Sequence, residues 1–389
     1  ILGLVLLTAL VSNAQNPLWM RYPAISPDGS QVAFSYKGDI YKVSINGGKA
    51  IRLTTHEAFD SNPVWSPKGD QIAFISDRKG SKDIYVMSSE GESIKRLTTH
   101  SAAENLWTFT PDGKFVVFSA SYQDPVKSAL FPSSRLSEIY KIRIDGGRSE
   151  MIAAFPADKI NFNKSGQKFL YQDVKGFENP WRKHHTSSVT RDILEYDIKD
   201  GTYKKLVDRE GEDTDPVYSP DGKALYFLSE RGGTFNVYTA PLDNSSDAKQ
   251  LTNFKFHPVR FLSVANNGTL CFGYDGEIYT LSQGSTHPQK LNIFISIDVE
   301  DEQIKKMSFA SGATSAFNSP DGKQVAFTVR GDVFVTSADY STTKQITKTV
   351  AEEADVNFGA DNRSLIYSSY RDGYWNVYIA KIVRKEDPN

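Results

Sequence analysis

The 389-residue sequence holds a single cysteine, Cys271. No disulfide forms within the chain, and a Cys-rich metal site is excluded. Cys271 sits in the apolar run Leu270-Cys271-Phe272, where a thiol behaves as a small buried hydrophobe. Excess charge of either sign is also lacking, with 45 Lys+Arg against 47 Asp+Glu and a net charge of -2. That balance removes the electrostatic ground for a nucleic-acid or anionic-membrane partner. The N-terminal apolar run, residues 1–11, is too short to span a bilayer, and we expect a protein that is not membrane-embedded. There is no Walker loop, H-E-x-x-H pair or G-x-S-x-G elbow. We therefore read no catalytic residue, cofactor site or metal site from the sequence.

Aromatics are plentiful, with 19 Tyr and 23 Phe against 4 Met. That bias suits pleated, half-buried strands. The apolar start is followed by Ser12-Asn13-Ala14, whose small residues fit a signal-peptidase site before Gln15. We expect residues 1–14 to be a signal peptide whose own start lies upstream. The absence of a lipobox cysteine adds the expectation of a soluble periplasmic or secreted product.

The organising feature is an internal repeat. Ser26-Pro27-Asp28-Gly29 recurs as Ser66-Pro67-Lys68-Gly69, Thr110-Pro111-Asp112-Gly113, Ser219-Pro220-Asp221-Gly222 and Ser319-Pro320-Asp321-Gly322. Weaker copies start at Asn163, Ala265 and Gly359, giving eight anchors about 48 residues apart. Pro sets the first turn position, Asp bonds back to the backbone, and Gly supplies the positive φ that closes the hairpin. An apolar strand follows each anchor. Then comes an acidic or amide residue, an aliphatic one and usually an aromatic, as in Asp39-Ile40-Tyr41 and Asn236-Val237-Tyr238; unit four has Asp192-Ile193-Leu194. A last strand ends in Leu-Thr or Ile-Thr in several units. Four antiparallel strands per unit, apolar on both faces, define a propeller blade. The fold expected is all-β: a six-bladed β-propeller over 15–300, then the first blades of a second, incomplete propeller over 301–389. A longer connector, residues 293–317, interrupts the rhythm after six units. One eight-bladed ring stays open as an alternative.

Blades of this pattern resemble the TolB-like and tricorn-type propellers. The order of signal peptide, Asn16-Pro17-Leu18-Trp19-Met20-Arg21-Tyr22-Pro23, six blades, connector and renewed repeat is similar to the bacterial tricorn-protease homologues. The resemblance covers essentially the whole chain. It implies a six-bladed propeller before a seven-bladed one, then a PDZ module and serine-peptidase domains. The family's catalytic Ser and His would lie beyond Asn389. The function it implies is the non-catalytic propeller region of a secreted serine peptidase, gating or guiding peptides to and from a distant active site. Its partners would be peptides and the PDZ and peptidase domains of the same parent chain; a homo-oligomer stays open. The rival readings are a TolB-like periplasmic propeller that binds proteins without enzyme activity, and the cap of a prolyl-oligopeptidase-type enzyme.

Two insertions separate second and third strands, at residues 121–137 in unit three and 172–191 in unit four. Both leave the same face of the propeller, and long loops on a rigid scaffold often carry function. The second contains the basic cluster Arg182, Lys183, His184 and His185, the candidate contact for a peptide carboxylate or other anion. Its competing reading is a solvated loop against a neighbouring domain. His56 and His100, repeated in register, read as structural. Glu212-Asp213-Thr214-Asp215 lacks the spacing of a calcium loop.

Overall fold

In the computed structural model the described residues are 17–100, 102–122, 137–176, 186–207, 211–296, 311–339 and 342–383. Among them there is no helix. The first six repeat units each form one four-stranded antiparallel sheet. The first strands of these blades are Arg21–Ile25, Asp60–Trp65, Glu104–Phe109, Ala157–Phe162, Asp213–Tyr218 and Arg260–Val264. Each lies against the sheet of the preceding blade, and the strand of blade 1 closes the circle against blade 6.

The recurring motifs have specific physical tasks. In the turn anchors the Ser26 hydroxyl donates to Asp28 Oδ1 at 2.5 Å and accepts the Gln31 N–H at 3.0 Å. The same pair recurs at Ser219/Asp221 and Ser319/Asp321. These hydrogen bonds hold the turn aspartates below the usual carboxylate range, led by the Ser or Thr hydroxyl. The Leu-Thr motif is a clamp. Its threonine hydroxyl accepts the N–H of the third strand, as at Thr54 with Ile40 and Thr98 with Ile84. The acidic residue that opens the third strand meets an arginine two residues before that threonine, Asp39 with Arg52 at 2.8 Å and Asp83 with Arg96 at 2.9 Å.

The aromatic bias also has a place. In seven units an aromatic on the second strand stands opposite an aromatic on the third, as in Phe34↔Tyr41, Phe74↔Tyr85 and Phe118↔Tyr140. In blade 4 the equivalent pair is Tyr171↔Leu194, and Phe169↔Tyr196 supplies the aromatic contact two residues along. Such cross-strand pairs contribute roughly 0.5–1.5 kcal/mol each beyond area burial. In blades 2 and 5 an arginine caps the pair. Arg78 lies over Phe74 and Tyr85 while binding Asp60 at 2.6 Å, and Arg231 lies over Phe227 and Tyr238 while binding Asp213.

Closure between blades 1 and 6 is polar and apolar at once. Ile25 N–H donates to Ser263 Oγ, Asn266 N–H to Pro27 O, and Met20 N–H to Gly276 O. Val32, Phe34 and Tyr41 share a core with Cys271, Ile278 and Ile293. The chain leaving blade 6 then pairs in parallel, Ile293–Phe294 against Gly48–Lys49 of blade 1. Gly47 is required there. Its φ is 79°, and a Cβ would stand 2.6 Å from the Asn292 carbonyl oxygen.

Two further sheets follow. One has four strands from Ala313–Asn318 to Thr343–Gln345; the other has three, Glu353–Phe358, Ser364–Ser369 and Asn376–Lys381. They pack on each other as adjacent blades do, around Ala326, Val333, Val356, Leu365 and Tyr367. Lys344 Nζ reaches the Thr99 carbonyl of blade 2 at 3.2 Å.

Candidate functional site

Every first strand of the ring is broken by a bulge, where one extra residue faces the partner strand. In five blades the residue four positions before the turn anchor takes a left-handed conformation without being glycine. These are Tyr22 (φ 53°), Asn62 (55°), Lys159 (56°), Asp215 (52°) and Phe261 (61°). L-residues other than Gly rarely adopt such angles, and they persist only where surrounding structure imposes them. In blade 3 the bulge residue is Trp107. Six first strands run beside the axis, so these six side chains form a collar on the central channel. The channel has a volume of about 490 Å³ and is lined by residues of all six blades.

Neighbouring members touch around the collar. The Tyr22 and Phe261 rings are 4.6 Å apart between centroids. Asn62 Nδ2 donates to the Leu106 carbonyl at 2.7 Å. Lys159 Nζ lies 5.6 Å from the Trp107 ring centroid and 5.8 Å from that of Phe261, and 3.0 Å from Asp215 Oδ1. Trp107 is fixed by its own Nε1–H donating to Ser119 Oγ. A polar layer supports the charged side. Arg191 binds Glu212, the Thr214 hydroxyl donates to Gln172, and Gln172 also accepts the Asp215 N–H. Burial pushes the Asp158 carboxyl up against the pull of Arg191 and Lys159, and burial lowers the Arg260 guanidinium despite Asp215 nearby. The collar thus lines the channel with two charges, an amide and three aromatic rings.

The collar residues are not the ones singled out in the sequence. Arg182, Lys183, His184 and His185 lie outside the described residues. The stems of their insertion are ordered by Lys175, which binds Asp192 at 2.5 Å, and by the Arg191–Glu212 pair. The strands bearing both insertions end at the face opposite the Ser-Pro-Asp-Gly turns. His56 and His100 each accept a backbone N–H two residues on, from Ala58 and Ala102, which is the structural role expected. In the acidic run, Glu212, Asp213 and Asp215 each bind a basic side chain from a neighbouring strand or loop. Cys271 is fully buried, and burial pushes its thiol up. Among the described residues, no group of three or more His, Cys, Asp or Glu side chains is placed to hold a metal, and no helix is long and apolar enough to cross a membrane. The collar escaped the sequence reading because its residue types do not repeat. Its signal was positional, four residues before the anchor in five blades and three before it in blade 3.

Ring closure, collar and repeated clamps define a six-bladed β-propeller with an axial channel. The chain belongs to the family described as the tricorn protease N-terminal beta propeller domain, whose model matches residues 17–287. It is similar to the tricorn protease of Thermoplasma acidophilum, 27% identical over 207 residues, covering 53% of this chain and 18% of that one. Tricorn protease homolog 1 of Streptomyces coelicolor is 25% identical over 325 residues, covering 83% and 29%. A crystal structure of the tricorn protease shares the fold, with a TM-score of 0.61 and 21% identity over 93% of this chain and 35% of that one. This chain therefore spans less than a third of the length of these curated relatives.

Proposed function

We propose that this propeller belongs to an exported tricorn-like serine peptidase and guides peptides to, or products from, an active site carried by other domains of the parent protein. The observation that carries this reading is the axial cavity of about 490 Å³, lined by residues of all six blades with the collar among them. Its lining suits an extended peptide, whose backbone and side chains meet the amide, charged and aromatic groups in turn. The two sheets over residues 313–381 repeat the blade plan, which supports reading them as the start of a second propeller. The partners in this account are peptides and the PDZ and peptidase domains of the same parent chain, in the periplasm or outside the cell. The purified chain is expected to leave unstructured peptides intact while the full-length protein cleaves them. Turnover by the chain alone, measured by mass spectrometry of the products, overturns this reading. A full-length protein that binds other proteins but cleaves nothing favours the TolB-like alternative.

A further inference from the structure

We propose that the collar is a binding site for a primary ammonium group, occupied in this structure by the chain's own Lys159. The inference deepens the reading of the channel as a peptide passage and rests on it. The cradle has three walls: the Asp215 carboxylate at 3.0 Å, and the rings of Trp107 and Phe261 at 5.6 and 5.8 Å from Lys159 Nζ. A cation within about 6 Å of aromatic faces is attracted by their quadrupoles, and a carboxylate supplies the opposite charge. Each wall is held independently of Lys159. Trp107 is anchored on Ser119, Phe261 packs on Tyr22, and the Asp215 backbone N–H donates to Gln172. The occupant is different. Lys159 enters on a flexible four-carbon stem, and its side chain is 29% exposed to the channel against 13% for Asp215.

The cradle is therefore prebuilt and its plug is hinged. An incoming peptide carries the same group, either as its N-terminal ammonium or on a lysine side chain. That ammonium displaces Lys159 and takes its place between the rings, while the freed Lys159 swings into the channel. The strained backbone at Lys159, Asp215 and Phe261 fixes where these side chains start from the strand.

The test is calorimetric titration of Ala-Ala-Ala amide with a free N-terminus, its N-acetylated form, and N-acetyl-Ala-Lys-Ala amide. The proteins are the native chain, Lys159→Asn, and Lys159→Asn with Asp215→Asn. Asparagine tolerates the left-handed backbone at both positions. Lys159→Gln provides a second plug-free variant, and thermal melts confirm that each is folded. Removing the plug is expected to tighten binding of the free-amine peptide at least tenfold, with the acetylated peptide bound at least tenfold more weakly. Adding Asp215→Asn is expected to abolish that preference. Binding of the lysine peptide as tightly as the free-amine one assigns the site to ammonium groups from either source; weaker binding assigns it to peptide N-termini. Equal affinity for free and acetylated peptides in both plug-free variants, or no binding by either, overturns the proposal. That failure leaves the passage itself untouched, because passage is read separately by peptide turnover with the channel blocked.

Discussion

Arg78→Ala is expected to destabilise the propeller far more than loss of a surface ion pair. Arg78 binds Asp60 at 2.6 Å, and the Asp60 side chain is fully buried. The substitution leaves that carboxylate without its cation, which costs about 3–5 kcal/mol for a buried pair broken on one side. It also removes the guanidinium from the faces of Phe74 and Tyr85, 5.5 and 5.3 Å away. For a ring of about 280 residues, an unfolding entropy of about 2.1 cal/mol/K per residue converts 3–5 kcal/mol into a fall in Tm of about 5–8 °C. The internal control is Arg143→Ala. Arg143 makes a bidentate bond to Asp145 with both partners about half exposed, so its loss is expected to shift Tm by at most about 1–2 °C. The double variant Asp60→Ala with Arg78→Met buries no charge and is expected to recover much of the loss. The assay is calorimetric melting of all four proteins in one buffer. Equal shifts for Arg78→Ala and Arg143→Ala, or a double variant no better than Arg78→Ala, refute the claim that the buried Asp60–Arg78 pair ties the first strand of blade 2 to the segment that follows its second.

Further outcomes follow from the same geometry. Gly47→Ala is expected to lower Tm by several degrees and expose residues 292–296 to limited proteolysis, because the new Cβ meets the Asn292 carbonyl at 2.6 Å; Gly222→Ala, with open space around it, carries only backbone strain of about 1 kcal/mol. Burial, reinforced by Asp83, pushes the Glu104 carboxyl well above its ordinary range, where it meets the Tyr122 and Thr98 hydroxyls. Above that range the unfolded chain has released this proton while the folded chain still holds it, so stability falls as pH rises until the folded group also ionises. Glu104→Gln is expected to flatten that fall, and denaturant titrations from pH 4 upward with a parallel slope in both proteins contradict it. Replacing Arg182 and Lys183 by alanine is expected to leave Tm unchanged, and a loss of several degrees shows that the loop is structural.

The blade plan was legible because its turn chemistry is unforgiving. Gly29, Gly69, Gly113, Gly222 and Gly322 all adopt positive φ, so the same residue returns at each turn. The acidic-aliphatic-aromatic triplet was visible too, but its reason was not. Asp39 and Asp83 recur because each meets an arginine from the fourth strand, and that partner is defined only once the strands pair. The collar was illegible for the opposite reason. Tyr22, Asn62, Trp107, Lys159, Asp215 and Phe261 share a bulge position beside the axis but no residue type, since facing a channel imposes none. The basic cluster at Arg182 drew attention through composition alone, whereas the charges at Lys159 and Asp215 look ordinary until the ring brings blades 4 and 5 together.

The measurement that bears most directly on the passage uses the chain's single cysteine to advantage. Cys271 is buried, so Thr108→Cys, on the half-buried channel wall, is the site a maleimide finds. In the full-length protein, with any cysteine outside these 389 residues replaced by serine, a bulky maleimide at this position is expected to slow cleavage of unstructured peptides at least tenfold, while a small chromogenic ester that reaches the active site by other routes is turned over as before. Unchanged peptide cleavage after complete labelling contradicts the account.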